Sequence, residues 1–308
     1  MKYYLLNTLL LMSNTQFRPM TSIKGKTIIL TGASRGIGAL IARELAKKQT
    51  TVICVSRSQS GLERICTEID DLGGKGIGVV FDVSKVEKMP ELMYEIKQLT
   101  GSFNVDILIN NAGIEICRSF HNYSLKDIQL VLSVNLIAAI ELTRLVLPNM
   151  LGKGSGHIVN IASFATQKGH PYDSIYSASK AGLIMWADAL KQELANTDIV
   201  VSNICPGYSQ QGLFADTNMS TATVHEGSSN PQNVATAVYQ VIENNGSQMV
   251  VNHNFLTRNI AKFKFAVEQF FPRFGDDVNQ DLDTNESNQI PRQNQQHNQE
   301  KLLINKNE

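Results

Sequence analysis

The feature that most constrains this chain is a repeated alternation of short β-branched runs with longer helical stretches. The runs are Thr27–Leu30, Thr51–Val55, Gly76–Phe81, Asp106–Ile109, His157–Ile161, Ile199–Cys205 and Met249–Val251. Each is nearly all apolar rather than alternating, which marks strands buried on both faces. The stretches between them are long enough for crossover helices. This predicts an α/β fold over residues 23–254, a doubly wound Rossmann-like parallel sheet of about seven strands flanked by helices. Ligands of such sheets bind at the carboxyl ends of the strands, so the chemistry should lie there.

The first run leads into Thr31-Gly32-Ala33-Ser34-Arg35-Gly36-Ile37-Gly38, and a helical pattern follows over Ala39–Lys48. Glycines here permit a tight turn and bring backbone N–H groups to a phosphate at a helix N-terminus. The spacing differs from G-x-G-x-x-G, and no G-K-[ST] closes it as in a P-loop. Its place between a buried first strand and a helix points to a dinucleotide. The second run ends in Ser56-Arg57, with Ser56 20 residues past Gly36. An acidic residue there would bind the ribose 2′-hydroxyl of NAD. In its place stand Ser56 and Arg57, with Arg35 in the glycine loop. Two guanidinium groups suit a 2′-phosphate, so the expected cofactor is NADP (NADPH).

Tyr176 and Lys180 are four residues apart at the start of an apolar-periodic helix, and so share one face. An ammonium beside a phenol favours the phenolate and makes the tyrosine a usable acid or base. That spacing alone is common. Its surroundings give it weight: Ser163 ends the fifth run 13 residues earlier, Asn135 lies in the long helix before that run, Asn110-Asn111-Ala112-Gly113 ends the fourth, Asp82-Val83 the third and Pro206-Gly207 the sixth.

With these motifs in order, the sequence resembles the short-chain dehydrogenase/reductase family, single-domain and NADP-preferring, over about Lys24–Asn254. The resemblance implies that Thr31–Gly38 binds the cofactor, that Asp82 and Val83 hold the adenine, and that Asn110–Gly113 supports the sheet and contacts the cofactor. It implies a catalytic set of Asn135, Ser163, Tyr176 and Lys180. Tyr176 is then the general acid in carbonyl reduction, and Ser163 polarises the carbonyl oxygen. Lys180 holds the nicotinamide ribose and lowers the Tyr176 pKa, while Asn135 holds a water that relays protons through Lys180. One position departs from the family: a Thr often stands four residues after the Pro-Gly, and here it is Gln211. The implied activity is an NADP(H)-dependent oxidoreductase, a carbonyl reductase or alcohol dehydrogenase. The implied assembly is a homodimer or homotetramer through the Ser124–Met150 and Ser174–Asn196 helices. The alternative is a catalytically silent cofactor-binding regulatory protein of the same fold.

Two segments should frame the substrate, Phe164–Asp173 and Tyr208 to Glu226. Both mix aromatic and polar residues, which favours an apolar or amphipathic ketone, aldehyde or alcohol of small-molecule size. Composition narrows the partners. Lysine plus arginine (28) balances aspartate plus glutamate (28), so the chain lacks the basic surface of a nucleic-acid binder. The balance is uneven, because residues 276–308 hold seven acidic and three basic residues. With 13 Asn and Gln among those 33, this stretch reads as a disordered acidic tail. Residues 255–275 form a basic aromatic segment, either a helix covering the substrate loop or a partner subunit, or an interfacial helix in peripheral contact with a membrane. Residues 1–22 read as a disordered extension or an upstream start, with a weak export or membrane signal as the other reading. The four cysteines show neither C-x-x-C pairing nor metal-ligand spacing, so no metal is expected and the cytoplasm is the default compartment.

Overall fold

The computed structural model describes residues 22–101, 104–163, 166, 169, 171–207, 230–246 and 248–251. Seven parallel strands, β1 (Thr27–Thr31), β2 (Thr51–Ser56), β3 (Lys75–Val80), β4 (Ile107–Asn110), β5 (Gly156–Ile161), β6 (Ile199–Pro206) and β7 (Gln248–Val251), make one sheet. Its order is β3-β2-β1-β4-β5-β6-β7. The chain builds outward from β1 in one direction, then returns to add β4 on the other side. The strand order therefore reverses between β1 and β4, and a crevice opens at their carboxyl ends. The expected fold class is the observed one.

Helices α1 (Gly36–Ala46), α2 (Gln59–Asp71) and α7 (Pro231–Glu243) carry their buried faces into one core. Ile41, Leu45, Ile65 and Val238 there meet Ile28, Leu30, Val52 and Cys54 of the sheet. Helices α3 (Met89–Thr100), α4 (Leu125–Leu132), α5 (Ala138–Lys153) and α6 (Ser174–Glu193) are the other α-helices among the described residues. On the second face, Leu92 and Ile96 of α3, Leu142 and Val146 of α5 and Ala187 and Leu190 of α6 pack on Ile29, Ile53, Leu108 and Ile158. Successive strand residues point to opposite layers, so strands covered on both faces are mostly apolar along their length. Each fully buried Ile or Leu contributes about 2 kcal/mol.

Two elements differ from the expectation. β3 is not buried on both faces: it is the sheet edge, and only Val79 of its six residues is buried. Gly76 and Gly78 on β3 lie against α2, where a Cβ on Gly76 would come within 2.6 Å of Cys66 Cα. The long helix carrying Asn135 is also not regular. Between α4 and α5 the chain makes a π-turn over Ser133–Ile137, with Asn135 at its centre. Such turns carry an inserted residue and commonly mark functional sites. The continuous helical stretch Leu125–Lys153 is long and apolar enough to cross a membrane, with mean hydropathy 1.9 over its best window, but 44% of that window is buried in the domain. All four cysteines are free.

The substrate-framing segments fall largely outside the described residues, as do Gln211, residues 255–275, the tail 276–308 and the first 21 residues.

Candidate active site

The crevice is a cavity of about 300 Å³ at the carboxyl ends of β1, β2, β4, β5 and β6. Its floor is the glycine loop. Gly32 (φ +68°) and Gly36 (φ +55°) take left-handed conformations that disfavour any side chain. Gly38 answers a packing demand: a Cβ there would overlap the Gly32 carbonyl oxygen and lie 2.7 Å from Asn111 Nδ2. Helix α1, which starts at Gly36, has no side-chain cap and no acidic residue in its first turn. Its orphan N–H groups, with the positive end of the helix dipole, suit an anion. By contrast α2 is capped by Ser58, and α4 by a Ser124–Asp127 capping box.

Most of the sequence-predicted residues line this one cavity. From the glycine loop come Gly32, Ser34, Arg35, Gly36, Ile37 and Gly38; from β2, Ser56 and Arg57; after β3, Asp82 and Val83. Asn111, Ala112 and Gly113 follow β4, and Ser163, Tyr176, Lys180, Pro206 and Gly207 close the other end. Three predicted residues are not on its wall. Thr31, Asn110 and Asn135 lie behind it.

Each of these three holds up the wall. Thr31 Oγ1 accepts from the backbone N–H groups of Asn111 and Ala112, both at 3.0 Å, and Asn111 Nδ2 donates back to the Thr31 carbonyl at 2.9 Å. The turns after β1 and β4 are thus locked together. Asn110 faces the sheet interior, where Asn110, Asn160 and Asn203 form an amide ladder across β4, β5 and β6 at 2.9 and 3.2 Å. Of the two roles expected for the Asn110–Gly113 run, Asn110 takes the structural one, because its buried amide has sheet partners. Asn135 spends its side chain on the Ile114 backbone, accepting from its N–H at 2.8 Å and donating to its carbonyl at 2.9 Å. It also donates to Ser179 Oγ at 3.0 Å. Its side chain therefore clamps the β4 turn to α6.

Tyr176 and Lys180 sit on the first turns of α6, with the ammonium 5.9 Å from the centre of the Tyr176 ring. Lys180 is 3% exposed, and its Nζ donates to the Ile161 carbonyl at 2.7 Å. Burial lowers its pKa to about 8. Ser163 lies two residues beyond the end of β5, and its carbonyl accepts from the Thr166 hydroxyl at 2.8 Å.

Two groups of residues escaped the sequence reading. At the far end of the crevice, Arg64, with Ser60 and Gly61 of α2, joins the predicted Arg35 and Arg57 around a cleft. Arg64 Nη2 donates to the Ser34 carbonyl at 3.0 Å, and a Cβ on Gly61 would lie 2.8 Å from Ser34 Cβ. Helix α2 thus abuts the glycine loop. The available signal was Arg64, seven residues past Arg57 and in the second turn of the helix that follows it. The second group is Glu115, Cys117 and Asp173. Cys117 Sγ donates to Asp173 Oδ1 at 2.8 Å, and Glu115 and Asp173 both line the cavity. Burial first, then Asp173, pushes the Glu115 pKa up to about 9. Burial also raises the Cys117 thiol. With residues 115 and 173 far apart in sequence, nothing in the chain order joined them.

A glycine-loop crevice with a tyrosine beside a buried lysine at its other end defines a nucleotide-dependent oxidoreductase class. The comparisons agree with this. A sequence model of the family described as short chain dehydrogenase matches residues 26–222. The chain is 51% identical over 254 residues to a ketoacyl reductase, HetN, of Nostoc sp., covering 82% of this chain and 88% of that one. It is 36% identical over 188 residues to the 3-oxoacyl-[acyl-carrier-protein] reductase FabG of Haemophilus influenzae, covering 60% and 75%. Among solved structures, a metagenomic short-chain oxidoreductase in complex with NADP superposes with TM-score 0.65 at 28% identity, covering 75% of this chain and 98% of that one. The chain belongs to the short-chain dehydrogenase family of oxidoreductases.

Proposed function

We propose that this chain is an NADPH-dependent ketoreductase whose substrate is a 3-oxoacyl ester or thioester, or a ketone of similar apolar or amphipathic character. One observation carries the reading. A single crevice runs from the arginines beside α2 to Tyr176 and Lys180. The substrate class is supported by the ketoacyl reductase among its relatives, 51% identical to this chain.

The residues present fit NADPH. The glycine loop leaves no room for a Cβ at Gly38, and α1 offers uncapped N–H groups for the pyrophosphate. Arg35, Arg57 and Arg64 flank a cleft with no carboxylate among the described residues that line it, which suits a 2′-phosphate and disfavours a bare ribose hydroxyl. Asp82 and Val83 would hold the adenine, and Pro206 and Gly207 would meet the nicotinamide end. Bound there, NADPH supplies the hydride to the carbonyl carbon.

The chain's own residues manage the oxygen. Ser163 donates a hydrogen bond to the carbonyl oxygen and orients it. Tyr176 gives its phenolic proton to that oxygen as negative charge develops on it. The Lys180 ammonium stabilises the tyrosinate left behind, because an opposite charge nearby favours the ionised phenol. Asn135 positions the turn that carries the cavity wall, through Ile114. A homodimer or homotetramer through α4, α5 and α6 belongs to the same proposal.

The test is a panel of ketones, aldehydes and 3-oxoacyl thioesters followed by NADPH absorbance. Reduction should be seen with 3-oxoacyl compounds, and its kcat/KM should fall as pH rises through about 8. The sign follows from Lys180: its ammonium form is populated below the lowered pKa of about 8 and lost above it. A rate that climbs through that range contradicts the assigned role of Lys180.

Cofactor choice is read from binding. Arg57→Ala should weaken NADPH by about 10- to 100-fold, the loss of a charge-assisted hydrogen bond of about 1.5–3 kcal/mol. NADH affinity should stay within about twofold, since its ribose lacks the phosphate. Equal losses for both cofactors, measured by fluorescence titration, contradict the arginine assignment.

A further inference from the structure

Glu115 and Asp173 have no part in the reaction above, yet both line the cavity that Ser163 and Tyr176 line. Glu115 lies two residues past Gly113, and Asp173 three before Tyr176. Their acidic atoms and Cys117 Sγ all lie within 4.8 Å of one another. Asp173 is 4% exposed and accepts the Cys117 thiol hydrogen at 2.8 Å.

The backbone holds this arrangement from both sides. Tyr172 has φ +70°, a left-handed conformation that is costly for an aromatic residue. Its carbonyl accepts from the Arg118 N–H at 2.9 Å and from the Tyr123 hydroxyl at 3.3 Å. The Tyr123 hydroxyl also donates to the Ile116 carbonyl. These bonds tie the loop after β4 to the residue before Asp173. Asn135 fixes the other end of that loop through Ile114.

We infer that Glu115 and Asp173 act together as a specificity-determining pair, favouring neutral 3-oxo esters and thioesters over free 3-oxo acid anions. The inference rests on the ketoreductase reading and deepens it. Two carboxyl groups this close and largely out of water do not both ionise, so at neutral pH the pair holds one proton and one negative charge. The proton resides on Glu115, whose pKa is about 9. A free 3-oxo acid carries its carboxylate one methylene from the reacting carbonyl. Placing that carbonyl at Tyr176 brings a second anion beside the pair. A thioester or ester puts a neutral carbonyl in the same place. Like charges about 6 Å apart at an effective dielectric of about 20 repel enough for on the order of a hundredfold in kcat/KM.

Other ionisable groups face the pair. Lys180 faces it from α6, Cys117 and Tyr123 from the loop after β4, while Tyr176 and Cys205 of β6 neighbour Lys180. The Lys180 ammonium is bonded to the Ile161 carbonyl at 2.7 Å. Without the pair, that ammonium is left unopposed and the bias against anions goes.

The experiment compares NADPH-dependent reduction of ethyl 3-oxobutanoate and of the 3-oxobutanoate anion at pH 7. Wild type and Glu115→Gln, which keeps one negative charge on the pair, should each favour the ester by on the order of a hundredfold. The double variant Glu115→Gln with Asp173→Asn should bring the preference within about tenfold, because the repelling charge is gone. A double variant that binds NADPH normally and keeps the full preference overturns the inference, as does a wild type with no preference. If the double variant does not fold, the wild-type ratio from pH 7 to pH 10 decides. It should climb more steeply than the ratio of Glu115→Gln, because Glu115 loses its proton near pH 9 while loss of the Lys180 ammonium near pH 8 raises both ratios alike. Equal climbs in the two proteins overturn the inference. Failure of the ketoreductase reading looks different: wild type then oxidises NADPH with neither substrate.

Discussion

Tyr176→Phe should lower the rate of NADPH-dependent carbonyl reduction by about 10²- to 10⁴-fold, the usual contribution of a positioned general acid. NADPH affinity should stay within about twofold, because the substitution removes a hydroxyl and keeps the ring. The Lys180 bond to the Ile161 carbonyl does not involve the phenol, so the ammonium keeps its place. The Ser179 hydroxyl donates to the backbone carbonyl of residue 176, which the variant retains. Both of these contacts survive the substitution. Single-turnover reduction beside fluorescence titration of NADPH separates the two effects. Normal binding with unaltered turnover contradicts the general-acid assignment of Tyr176; a wild type that binds NADPH yet reduces no carbonyl compound is the outcome of the other reading, a cofactor-binding protein without catalysis.

Gly38→Ala should be the most damaging single methyl group that can be added to the glycine loop. Its Cβ would overlap the Gly32 carbonyl oxygen, lie 2.9 Å from the Gly32 carbonyl carbon and come within 2.7 Å of Asn111 Nδ2. Two of these are backbone atoms of a loop already bonded on its other side. Relief requires α1 to move off the loop, or the turns after β1 and β4 to part. Overpacking that cannot relax costs about 3 kcal/mol or more, which for a domain of this size lowers Tm by on the order of 10 °C. NADPH binding should be lost, because the N–H groups of the loop and of α1 no longer converge. Gly36→Ala is the comparison. Nothing lies within 4 Å of its Cβ position, and its penalty comes only from φ +55°. That strain costs about 1–2 kcal/mol. Thermal unfolding of the two variants reads the difference; equal Tm values would mean that the α1–loop contact is not tight.

Part of the catalytic site was legible because its residues fall in a fixed order on a repeating scaffold. A buried strand, a glycine loop and a helix identify a phosphate end whatever the rest of the chain does. The missing carboxylate after β2 and the arginines near it pointed to NADP without any coordinates. Asn135 and Asn110 show where that reasoning stops. Both were assigned to the site, and both lie behind its wall, because a sequence position does not say which way an amide points. Asn135 clamps Ile114, and Asn110 joins an amide ladder across three strands. The β3 run showed the same apolar character as the others, yet it is an exposed edge. Strand order, not composition, decides which strands are covered twice.

The sequence by itself determined the alternation of strands and helices, the glycine turn, and the pairing of Tyr176 with Lys180. These are local, set by chain periodicity and by the few residue types that tolerate each conformation. Only the tertiary structure decided what the sheet brings together from distant segments: Arg64 against Ser34, Asn135 against Ile114, and Glu115 and Cys117 against Asp173. Those contacts arise because strand order reverses between β1 and β4, so turns far apart in the chain end at one crevice. The burial of Lys180 and the proton held on Glu115 follow from that convergence, since desolvation depends on every neighbour at once.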